Sequence, residues 1–204
     1  GATVGTFTLN RSVLRARLSS DDSRLFVGMD NGTVRELDPV TGVARDTIQA
    51  LGGAINGLAL SPDGAHLYAT STVGGVADID TKTNALARTI PLAGALQDIA
   101  VSPDDPSRLH AMVAGVAPAG AKDKGGPTTG VVGLYTSTDR GEHWSAVDAP
   151  GVPSDTSGPA DPRPLSRIGG GDLPPVTIDP KDPNVVYSSS VVLWRTLDGG
   201  HSWS

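Results

Sequence analysis

Apolar and polar residues alternate along this chain in short runs separated by turn residues, and no stretch sustains the 3.6-residue period of a helix. Residues 55–60 (INGLAL) and 96–101 (LQDIAV) alternate like half-buried strands. After the first of them, Pro62-Asp63-Gly64 reads as a turn and His66 to Ser71 as a second strand. Gly74-Gly75 turns again, Val76 to Ile79 gives a third strand and Ala87 to Pro91 a fourth. Asp30-Asn31-Gly32 has the composition of a hairpin turn. The pattern predicts an all-β chain of consecutive antiparallel hairpins.

The same plan recurs. Residues 18–48 (LSSDDSRLFVGMDNGTVRELDPVTGVARDTI) align with 60–90 (LSPDGAHLYATSTVGGVADIDTKTNALARTI), placing Leu25 over Leu67, Phe26 over Tyr68, Asp38 over Asp80 and Ile48 over Ile90, a period of 42 residues. A third copy opens at 101–113, one residue longer at its turn, and a fourth at 178–190. Four antiparallel strands in such a unit predict a β-propeller blade, which buries its faces only against neighbouring blades. The expected blades span 13–54, 55–95, 96–150 and, in part, 176–204, with residues 1–12 supplying an N-terminal strand. Propellers close with several blades, and a ring of six to eight at this period needs about 250 to 340 residues. The expectation is therefore a partial ring, completed by further residues or by another chain.

Composition narrows the class. The 204 residues include 26 Gly and 16 Pro, which demand frequent turns, while 38% apolar residues suffice for a packed core. A net charge of −6 with scattered Lys and Arg argues against nucleic-acid binding. Without cysteine there is no disulfide framework and no thiolate ligand or nucleophile. No apolar run approaches the roughly 18 residues of a membrane span.

One octet is repeated most plainly: STDRGEHW (137–144) returns 59 residues later as TLDGGHSW (196–203). Asp139 and Asp198 suit acceptance of hydrogen bonds from their own turn, Gly141 and Gly200 suit positive φ, and Trp144 and Trp203 supply large apolar contacts. Together with Ser137 and Thr196, these residues resemble the Asp-box or BNR repeat found in sialidase-type, sortilin-type and xyloglucanase-type propellers. The first two units, with SPDG…LYAT and IDTKTN, resemble the YVTN or WD40-like propellers of bacterial surfaces. The resemblance implies a propeller in which the octet is a structural clasp remote from any active centre. It implies an extracellular, periplasmic or cell-surface setting and a protein or glycan partner.

Two segments break the period, 115–130 and 151–175, both rich in Gly, Pro and small polar residues. The second carries Asp155, Asp161, Arg163, Arg167 and Asp172, the densest mix of opposite charges in the chain and a candidate contact loop. A glycoside hydrolase would need a pair of carboxylates, for which Asp98, Asp104, Asp105, Asp155, Asp161, Asp172 and Asp182 are the candidates; most sit where turn chemistry alone calls for Asp. Ser166-Arg167-Ile168-Gly169 only poorly imitates a sialidase arginine element, and Trp194 is the one tryptophan outside the octets. His66, His110, His143 and His201 are spaced too evenly for one zinc site, and no phosphate loop, HExxH, calcium loop or Gly-x-Ser-x-Gly elbow occurs. No cofactor or metal is expected, and the sequence names no catalytic residue. The reading is a non-enzymatic binding or structural propeller, with a secreted glycoside hydrolase and an assembly factor for a membrane complex as the competing classes.

Overall fold

The computed structural model describes residues 6–92, 94–114, 132–147, 175–189 and 193–203. Its strands form four separate antiparallel sheets, each a meander in chain order. The first holds β1 (Val13–Leu18), β2 (Leu25–Met29), β3 (Thr33–Leu37) and β4 (Ala44–Gln49). The second holds β5 (Ile55–Leu60), β6 (His66–Ser71), β7 (Val76–Asp80) and β8 (Ala85–Ile90). The third holds β9 (Ala95–Val101), β10 (Leu109–Ala114), β11 (Val132–Ser137) and β12 (Ser145–Ala146), and the fourth β13 (Val176–Ile178), β14 (Val186–Ser189) and β15 (Leu193–Thr196).

The turns explain why these strands form where they do. Asp38 Oδ1 accepts the amides of Val40 and Thr41, and one period later Asp80 Oδ1 accepts those of Lys82 and Thr83. The same two turns each reach a left-handed residue, Gly42 at φ 70° and Asn84 at φ 53°, and Gly and Asn are the residues that tolerate it best. A bulge opens the first strand of three sheets, where Leu14, Asn56 and Gln97 are the extra residues in the pairing registers.

The sheets stack in chain order. Phe26, Val34 and Ile48 of the first meet Leu58, Leu67 and Ile79 of the second. Tyr68 and Ile90 meet Ile99, Leu109 and Val113 of the third, and Met112 and Leu134 meet Val176, Val186 and Trp203 of the fourth. Each interface removes several large apolar side chains from water, at about 1.5–3 kcal/mol for each one fully buried. The first strands β1, β5, β9 and β13 lie side by side as the inner edge of the stack. That approach needs Gly57: a Cβ there would stand 2.9 Å from Asp98 Cα and 2.9 Å from Ile99 N.

The described part of the N-terminal segment does not form the expected strand. Residues 6–12 are unpaired by any sheet, and Leu9 instead packs on Val27, Met29 and Leu37, the face of the first sheet turned away from the second. Glycines within GATVGTFTLN weaken a strand, whereas Leu9 gains by covering apolar surface that has no neighbouring sheet among the described residues.

Candidate functional site

The two octets fold alike. Ser137 Oγ donates to Asp139 Oδ1 at 2.7 Å and accepts the Gly141 amide at 2.8 Å, while the His143 amide donates to Asp139 Oδ1 at 2.9 Å. In the second, Thr196 Oγ1 stands 2.7 Å from Asp198 Oδ1 and accepts the Gly200 amide at 2.9 Å, and the Ser202 amide closes on Asp198 at 2.8 Å. Such bonds hold both carboxyls below the usual carboxylate range, chiefly through the His143 amide and then its ring for Asp139, and through the Ser202 hydroxyl, 2.6 Å from Oδ2, for Asp198. Each turn then presses on the preceding sheet: a Cβ on Gly141 would meet Ile90 Cδ1 at 2.9 Å, and one on Gly200 would meet Leu134 Cδ2 at 2.6 Å. Trp203 is buried in that interface with its Nε1 donating to Gly200 O at 2.9 Å; Trp144 is half-buried against the interface before it.

A second set of contacts ties neighbouring sheets through buried carboxylates that the sequence reading did not single out. Glu36 on β3 receives Arg24 Nε and an Arg24 Nη at 2.8 Å each, and Asn84 Nδ2 from the second sheet at 2.6 Å. One period on, Asp78 on β7 stands 2.7 Å from His66 Nδ1 and 3.2 Å from Arg88 Nε. Arg88 continues to Glu142 and to the Arg140 carbonyl in the third sheet's octet turn. The signal was a carboxylate recurring one period apart, Glu36 and Asp78, within the third strand of each unit.

The carboxylates proposed for hydrolysis are dispersed. Asp104 accepts Ser102 Oγ, Asp105 accepts the Ser107 hydroxyl and amide, and Asp182 accepts the Asn184 amide, so each serves its own turn. Asp98 differs: it is 2% exposed on β9, accepts the Val176 amide at 3.0 Å through Oδ2, and leaves Oδ1 without a partner among the described residues. Burial pushes its carboxyl up. Asp155, Asp161, Arg163, Arg167 and Asp172 lie outside the described residues. Trp194 packs half-buried against the interface of the third and fourth sheets. Among the described residues no three His, Asp or Glu side chains gather as a metal site.

The ends of the four inner strands converge on one cavity of about 380 Å³. It is lined by residues 17, 18 and 20 of the first sheet, 59–62 of the second, 99–101 of the third and 176–178 of the fourth. Among the described residues its walls are apolar apart from hydroxyls such as Ser20 and Thr177 and one charged side chain, Arg17. Arg17 and Arg15 stand two residues apart on β1, on the same side of the strand. Each guanidinium donates to the carbonyl of its preceding residue, at 2.9 Å for Arg15 and 3.4 Å for Arg17. Neither has a carboxylate within 4.0 Å among the described residues, unlike Arg11, Arg24, Arg45 and Arg88. This pair is the feature of the site that a reading focused on turns and octets passed over; the signal was two arginines at strand spacing in VLRARL.

No protein-family model matches the sequence, and no curated protein matches it. Solved structures do. The β-propeller domain of Cps50 (Swd1) from Myceliophteria thermophila superposes with a TM-score of 0.62 at 16% identity, over 90% of this chain and 52% of that one. Hydrazine synthase from Kuenenia stuttgartiensis gives 0.61 at 17% identity, over 96% of this chain and 48% of that one. The chain has a β-propeller fold. Its sheets are blades, its inner strands face the propeller axis, and it spans about half the length of each of these two chains.

Proposed function

We propose that this chain is a non-catalytic binding scaffold that engages a protein partner at the axial cavity. The observation that carries this reading is the convergence of all four inner strands on one cavity, walled by apolar side chains and hydroxyls and carrying an exposed arginine. Rigid sheets fix the walls, and a site held by the ends of strands is better positioned than one on a free loop. A protein is favoured over a glycan because none of the described lining residues is aromatic, and sugar faces are commonly held by stacking on aromatic rings. The described carboxylates other than Asp98 that were weighed for hydrolysis are engaged in their own turns, which disfavours a paired-acid mechanism.

The test is selection of phage-displayed random peptides on the folded protein, followed by rebinding to Thr177→Trp, which places a large side chain at an exposed position of the cavity wall. Peptides that bind the wild type and are lost on Thr177→Trp support the reading. Selected peptides that bind both forms equally overturn it.

A further inference from the structure

Building on the axial-cavity reading, we propose that the partner segment is acidic and apolar together, and that Arg17, with Arg15 behind it, seats a glutamate or aspartate side chain of that segment. The charge pattern of the molecule singles out this place. The protein as a whole carries −6, yet among the described residues the only charged one lining the cavity is a cation. Arg15 is half-buried and Arg17 exposed, and each spends one hydrogen bond on a neighbouring carbonyl, leaving further guanidinium donors for a planar acceptor.

The surroundings keep that charge available. The neighbouring inner strand, β5, carries the small residues Gly57 and Ala59 at the places matching Arg15 and Arg17, and Ala59 shares the cavity wall with Arg17. The acid at the matching place on β9 is Asp98, and it is committed to the Val176 amide inside the interface of the third and fourth sheets. Asp98 makes no ion pair with Arg15 or Arg17. An incoming carboxylate meets Arg17 on the cavity wall, with Arg15 two residues back on the same side of β1, and displaces no ion pair among the described residues; its apolar neighbours find the walls around Leu18, Pro62 and Val101.

The probe is a fluorescein-labelled decapeptide of alternating Glu and Leu pairs, read by fluorescence anisotropy beside counterparts with Gln or Lys in place of Glu. The Glu peptide is expected to bind best and to weaken as salt rises, and Arg17→Gln should lower its affinity about tenfold, the loss of a charge-assisted bond. Arg15→Gln should lower it less, while Arg11→Gln, already paired with Asp30, should leave it unchanged. Because Arg17 is exposed, an unfolding transition equal to wild type confirms that the variant is folded. Equal binding of the Glu and Gln peptides, or full affinity in Arg17→Gln, overturns the acidic inference; if Thr177→Trp still abolishes binding, the cavity reading survives it. Binding of the Glu peptide that is unaffected by Thr177→Trp overturns both, and absence of binding by the Glu peptide overturns the acidic inference.

Discussion

Asn84 Nδ2 donates to Glu36 Oε2 at 2.6 Å across the boundary between the first and second blades, although 48 positions separate the two residues in sequence. The same carboxylate holds both donors of the Arg24 fork, and Arg24 also reaches Asn84 Oδ1 at 2.7 Å, so the three side chains close a ring of bonds. The Arg24 guanidinium holds the Glu36 carboxyl below its usual range. Glu36→Ala leaves the half-buried Arg24 and Asn84 without their shared acceptor and should cost about 1–3 kcal/mol in chemical unfolding. Asn84→Ala should cost about 1 kcal/mol, and the double variant less than the sum. Additive losses would mean that the three residues do not act as a unit.

Gly141 has two reasons to be glycine: its φ of 89° and the Ile90 side chain that a Cβ would meet. Gly141→Ala should destabilise by about 2–3 kcal/mol, because backbone strain and a steric contact add. Ile90→Val removes the Cδ1 methyl at the contact and should recover part of that loss. Failure of Ile90→Val to recover any stability would assign the whole effect to the backbone.

His110 is 3% exposed, and neither ring nitrogen has a partner among the described residues. Burial lowers its pKa from 6.5 to about 4. The folded protein keeps this ring neutral where the unfolded chain protonates it, so stability falls as pH drops from 6.5 towards 4. The matching places in the first two blades hold Phe26 and Tyr68. His110→Phe should therefore flatten this limb of the stability profile, measured by urea unfolding across that pH range. A profile identical to wild type would exclude His110 as its source.

Asp98 titrates with the opposite sign. Its raised pKa means that the folded state holds a proton longer than the unfolded chain, so its contribution to stability declines as pH rises above 3.8. Asp98→Asn keeps an acceptor for the Val176 amide without burying a charge and should match or exceed wild-type stability at pH 7. Asp98→Ala removes the acceptor and should cost about 1–3 kcal/mol. Equal stability of the two variants at pH 7 would show that the Val176 bond contributes nothing.

The blades themselves were legible in the sequence. Strand alternation, the Asp38 and Asp80 turns and the octets are settled by hydrogen bonds and dihedral preferences acting over fewer than about ten residues. A 42-residue period therefore announces sheets whose only partners are each other. What local chemistry left open was every relation between sheets. That Gly141 leans on Ile90, that Asn84 completes the shell of Glu36, and that Leu9 covers the first sheet instead of joining a strand depend on how closely the sheets stack. The meeting of residues 17, 59, 99 and 176 around one cavity is of the same kind. Residues some 40 positions apart carry no mutual signal in the chain; they meet because buried apolar faces press successive sheets together and glycines such as Gly57 let the inner strands approach.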